Sequence, residues 1–127
     1  MSSRAGAVLA ILMASVGWPA PGETHAALVS SVPTARATLN AAPSRVTLTF
    51  SERLEPVYAR VSVWDAAGTQ VDLKDPALER DNPRVLRVSL PSLAPGRYTV
   101  RYRVLSVDGH VVESSFVFTV AGPGRRP

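Results

Sequence analysis

From residue 27 onward, apolar and polar positions alternate in short runs, each closed by Pro, Gly, Asn or Asp. In 45–51, Val46, Leu48 and Phe50 fall on one side, and Arg45, Thr47, Thr49 and Ser51 on the other. A period of two marks a half-buried strand, because successive side chains point to opposite faces. The same period predicts strands over 27–32, 59–64, 85–90, 97–105 and 113–120. Their inward sides hold Val61 and Val63; Leu86, Val88 and Leu90; Tyr98, Val100, Tyr102 and Val104; and Phe116, Phe118 and Val120. Residues 65–68 read as a turn into 69–73, so 59–64 and 69–73 are expected to form a hairpin. Segments 36–43 and 74–83 read as loops, the second with room for a short helical turn. Short strands separated by turn residues, with no internal repeat, predict an all-β sandwich.

The stretch Leu93-Ala94-Pro95-Gly96-Arg97-Tyr98 sets a tyrosine just after a Pro-Gly turn, at the start of a strand. That is the place of the tyrosine corner in immunoglobulin-like folds, where the hydroxyl bonds back to the preceding loop. A plain core tyrosine fits the position equally well.

The first residues break the pattern. Arg4 precedes an apolar run over 5–16, and Trp18, Pro19, Pro21, Gly22 and Glu23 end it. This is the layout of a cleavable secretory signal peptide over 1–24. The run is too short to span a bilayer, which needs about 20 apolar residues. Cleavage before His25 leaves Thr24 at −1, whereas cleavage after Ala26 leaves an alanine there; both satisfy the small-residue rule. The expected organisation is a leader over 1–24, one domain over 25–121 and a flexible tail over 122–127.

Composition narrows the chemistry. The chain has 127 residues, no cysteine and two methionines, Met1 and Met13, both in the leader. Disulfides, thiolate sites and thiol nucleophiles are excluded, and the mature chain has no thioether for Cu(I). The net charge of +4 comes mainly from arginine. Arg97, Arg101 and Arg103 alternate along one strand instead of clustering with aromatics, so they read as a solvated sheet face and nucleic acid is not an expected partner. No Gly-rich phosphate loop and no nucleophile elbow is present. The chain is therefore not expected to be an enzyme.

The candidate chemistry lies in Ser106-Val107-Asp108-Gly109-His110, between two alternating runs. In an extended segment, Asp108 and His110 at i and i+2 point to the same side and converge on one ion. Asp-Gly is equally an ordinary hairpin turn. The other histidine, His25, supplies an amine and an imidazole together if the leader is cut before it. Added to His110 nitrogen and Asp108 oxygen, these make an N3O set that suits tetragonal Cu(II), with Zn(II) as the competitor. Glu52, in the loop after a clean strand, is a candidate hydrogen-bond acceptor for an imidazole N–H or the amine.

The ordered set His25-Ala26-Ala27-Leu28-Val29-Ser30-Ser31-Val32-Pro33, Leu48-Thr49-Phe50-Ser51-Glu52, Gly96-Arg97-Tyr98-Thr99-Val100, 102–110 and Phe116-Val117-Phe118-Thr119-Val120 resembles the CopC family of periplasmic copper-resistance proteins. The resemblance implies an immunoglobulin-like Greek-key β-sandwich or barrel of about seven strands. It implies one Cu(II) held by His25, Asp108 and His110, with Glu52 at the family's Ser-Glu position. It also implies copper sequestration or delivery in the periplasm, with a membrane partner of the CopD type; the chain itself is expected to be a monomer. The family's methionine-rich Cu(I) site has no counterpart here, and Val111 and Ser114 stand where a proline and a glycine are common. Two other readings follow from the same residues: an oxygenase built on an N-terminal histidine copper site, and a metal-free immunoglobulin-like interaction domain.

Overall fold

The computed structural model describes residues 27–122. Residues 1–26, which include the expected leader and His25, and residues 123–127 of the expected tail lie outside the described residues. Within them the chain forms eight strands: β1 (Leu28–Val32), β2 (Thr38–Leu39), β3 (Arg45–Phe50), β4 (Arg60–Trp64), β5 (Ala77–Glu79), β6 (Asn82–Ser89), β7 (Gly96–Leu105) and β8 (Val111–Val120). A short 3₁₀ turn, Pro56–Tyr58, precedes β4. One sheet has the order β1-β3-β6-β5 and the other β2-β8-β7-β4.

The alternation read from the sequence is the alternation of burial. Val46, Leu48, Phe50, Val63, Leu86, Val100 and Phe118 are fully enclosed between the sheets. Phe50 meets Tyr102 edge-on at 5.6 Å across the two layers, and Tyr98 stacks on its ladder partner Phe118 at 5.5 Å within one sheet. The Tyr98 hydroxyl donates to the Ala94 carbonyl at 2.6 Å, the tyrosine corner.

Four expectations need correction. The sandwich is not closed as a barrel. Closure needs a ladder at every edge, whereas β1 and β5 end one sheet and β2 and β4 end the other, and the layers meet through side chains. The expected hairpin forms only in part, and 69–73 is not a strand: Trp64 and Gln70 make an isolated bridge, with Asp65 N donating to the Thr69 carbonyl at 2.9 Å and Val71 N to the Val63 carbonyl at 2.8 Å. There the buried Asp72 carboxylate takes over from the ladder, accepting from Val63 N at 2.8 Å, from Lys74 N at 2.9 Å and from the Gln70 amide at 3.0 Å. The loop expected over 74–83 instead holds β5 and the start of β6, a tight antiparallel pair in register at Leu78–Leu86. Pro83 is tolerated because it stands near the strand start, where its missing N–H breaks little of the ladder. The loop over 36–43 contains β2, two residues parallel to the end of β8, too short for any periodicity to show.

Candidate metal centre

The strands β7 and β8 pair along their whole length, from Gly96–Val120 to Leu105–Val111. The connection between them is the turn Ser106–His110. Gly109 N donates to the Ser106 carbonyl and Ser106 N to the His110 carbonyl, both at 2.9 Å. Gly109 has φ +94°, a left-handed conformation that a side chain would strain. A turn closed by a left-handed glycine is a common way to join strands with a three-residue loop.

This turn, and not an extended backbone, brings the two candidate donors together. His110 Nδ1 lies 3.0 Å from Asp108 Oδ1. A carboxylate can only accept, so Nδ1 carries the proton and Nε2 keeps the ring's lone pair. Ser106 organises both residues. Its hydroxyl is buried at 1 % exposure, donates to Asp108 Oδ1 and accepts from His110 N at 3.1 Å. The hydrogen bond from Ser106, and then that from His110, hold the Asp108 carboxyl below its ordinary range. Asp108 is therefore an anion, and about two-fifths of each donor side chain is open to solvent.

Ser106 is the residue the sequence reading left without a role. Its only signal was the Ser-x-Asp-Gly-His order, since Ser and Asp side chains bond to nearby backbone in turns. The bond to Asp108 depends on the fold burying the hydroxyl.

A second loop ties the turn to the start of β1. Leu54 bridges Ser106, and Val107 N donates to the Arg53 carbonyl at 2.9 Å. At the other end of that loop, Ser51 N donates to the Ala27 carbonyl and Ala27 N to the Ser51 hydroxyl, each at 2.9 Å. Glu52 sits between these two anchor points, partly buried. Position 25 is two residues before Ala27, so the chain carries it at most about 7 Å further. Among the described residues no three His, Cys, Asp or Glu side chains gather to hold a metal. Of the ligand set expected from sequence, Asp108 and His110 are brought together, and His25 lies outside the described residues.

A two-sheet Greek-key sandwich with its donor groups on an end turn defines a class of small β-sandwich proteins whose chemistry is carried on loops. The chain belongs to the CopC family: the CopC domain model matches residues 28–121. The crystal structure of CopC from Methylosinus trichosporium OB3b superposes with a TM-score of 0.73 at 38% identity, covering 81% of this chain and 100% of that one. Protein YobA of Escherichia coli K12 is 34% identical over 113 residues, 88% of this chain and 90% of YobA. The copper transport protein CutJ of Bacillus subtilis 168 is 28% identical over 111 residues; the match takes in 87% of this chain but only 20% of CutJ. CopC proteins are periplasmic, copper-binding and chaperone-like, and are not enzymes, which sets the oxygenase reading aside. Among the described residues no helix is long and apolar enough to cross a membrane.

Proposed function

We propose that this protein is an exported, monomeric Cu(II) carrier of copper resistance and homeostasis, which sequesters copper in the periplasm or hands it to an inner-membrane importer of the CopD type or to a copper enzyme. One Cu(II) ion is held by the amine and imidazole of His25, by His110 and by Asp108, after a signal peptide over 1–24 is removed. The observation that carries this reading is the Asp108–His110 pair on its turn, tied through the 51–55 loop to Ala27, two residues from His25. Nitrogen and oxygen donors without sulfur suit Cu(II), and both methionines of the chain lie before residue 25. Binding of one ion by Nε2 of His110 and a carboxylate oxygen of Asp108 exchanges their mutual contact for two bonds to the metal. A match to one fifth of a copper transport protein supports a transporter as the recipient.

Calorimetric titration of the exported protein with Cu(II) tests the proposal. One equivalent is expected to bind, and His110→Ala is expected to abolish tight binding. Undiminished binding by that variant would remove His110 from the site. Mass spectrometry of the exported chain is expected to show His25 as its first residue; a chain beginning at Ala27 would leave no amine-imidazole donor.

A further inference from the structure

The outer face of the β2-β8-β7-β4 sheet is basic in a way that folding does not explain. Outward positions of β4, β7 and β8 carry Arg60, Arg97, Arg101 and Arg103 against one acid, Glu113. Arg60 stands directly opposite Arg103 in the β4–β7 ladder, and Arg101 follows on the same face opposite Ser62. Like charges directly across a ladder destabilise the pair. Arg103 is relieved by Glu113 at 3.2 Å, and Arg101 lies over the Trp64 ring at 5.1 Å. Arg60 has no carboxylate partner among the described residues.

Exposed apolar side chains gather at the same end. Val57 (73 % exposed) and Tyr58 (55 %) belong to the 3₁₀ turn, one residue before Arg60. Val107 within the turn and Val111 just after it are also exposed. Val111 pairs with Leu105, two residues beyond Arg103. Arginine forks bind phosphate oxygens in pairs, and a phenol ring suits the boundary between water and lipid.

We infer that this face docks on an anionic phospholipid surface. Arg60, Arg101 and Arg103 lie on headgroup phosphates, and Val57, Tyr58 and Val111 enter the headgroup layer. A protein partner would be anchored by side chains filling pockets. The cavity of about 300 Å³ lined by Asp65, Ala94 and Arg97 is at the opposite end of β7, away from this cluster; a headgroup layer needs no recess. The inference rests on the reading that copper is delivered to a membrane protein: docked this way, the Ser106–His110 turn stands at the bilayer surface.

Co-sedimentation with vesicles tests it, using phosphatidylcholine alone and phosphatidylcholine mixed with phosphatidylglycerol. The exported protein is expected to bind only the mixed vesicles and to leave them in high salt, where the screening length shrinks. Each arginine contributes about fivefold, so R60Q/R101Q/R103Q is expected to lower partitioning about a hundredfold. Arg60→Gln alone, expected to lower it about fivefold, serves where the triple variant does not fold. The variant R45Q/R80Q/R84Q removes the same charge from the other sheet and its hairpin, and is expected to bind as the parent does. No enrichment on mixed vesicles overturns the inference, and so does an equal loss from both triple variants. His110→Ala is expected to keep vesicle binding while losing copper, so failure of the docking face and failure of the copper site read out separately.

Discussion

Ser106 shows how one buried hydroxyl sets the character of an exposed site. It holds the Asp108 carboxylate directly and His110 through its backbone N–H, so the carboxylate and the backbone of the turn are set before any metal arrives. Hydrogen-bond partners of ligands are typically worth about 10–100-fold in metal affinity. Ser106→Ala is therefore expected to weaken Cu(II) binding by about tenfold. Titration of parent and variant checks this, with far-ultraviolet circular dichroism as the control for fold. Equal affinities would mean that the turn orients its donors without the serine. The low Asp108 pKa works in the same direction. The carboxylate's contribution is present above its ordinary range near pH 4 and is lost only as the pH falls through its lower folded value. That Asp108 and His110, the candidate donors, come together was legible in the chain. Their route to convergence was not, because a turn and an extended i, i+2 pair look alike until Gly109 is seen at φ +94°.

At the scale of elements, period-two alternation located β1, β3, β4, β6, β7 and β8, since burial on one face is what that pattern records. It failed where a side chain replaced a ladder. Asp72 is buried at 6 % exposure and accepts from two backbone N–H groups and one amide, so 64–74 is held as an irregular crossover and not as a strand. Asp72→Ala is expected to destabilise the fold by about 1–3 kcal/mol, because it orphans the buried N–H of Val63. Urea unfolding with an unchanged slope checks that the loss is one of stability. A change below about 0.5 kcal/mol would mean that water replaces the carboxylate. The element β2 escaped the sequence reading for a different reason. Its two residues are ordered by the β8 edge, through Thr119 N to the Ala37 carbonyl and Ala121 N to the Leu39 carbonyl.

At the scale of the whole molecule, the two sheets unfold against one shared core, so linkage at a single buried group reads out global stability. Burial, with a smaller contribution from Asp65, pushes the Tyr98 hydroxyl above its ordinary pKa of 10.0. The folded state resists its ionisation, so Tyr98's contribution is complete below about pH 10 and is lost as the pH rises through the folded value. Thermal melts above that pH are expected to fall more steeply for the parent than for Tyr98→Phe. At neutral pH the variant is expected to be less stable by about 1 kcal/mol through the lost bond to Ala94. Parallel alkaline profiles would rule out this linkage. The sequence by itself determined the all-β class, the residues of the core and the nearness of the candidate donors Asp108 and His110, because periodicity and side-chain chemistry are local properties. Only the tertiary structure decided that the sandwich stays open, that Ser106 is buried beneath its turn, and that Arg60 faces Arg103. It also joined Ala27 to Ser51 and Leu54 to Ser106, setting the start of the domain and the donor turn on one loop. Those relations join residues far apart in the chain, and hydrogen bonds across such separations exist only once the strands have found their register.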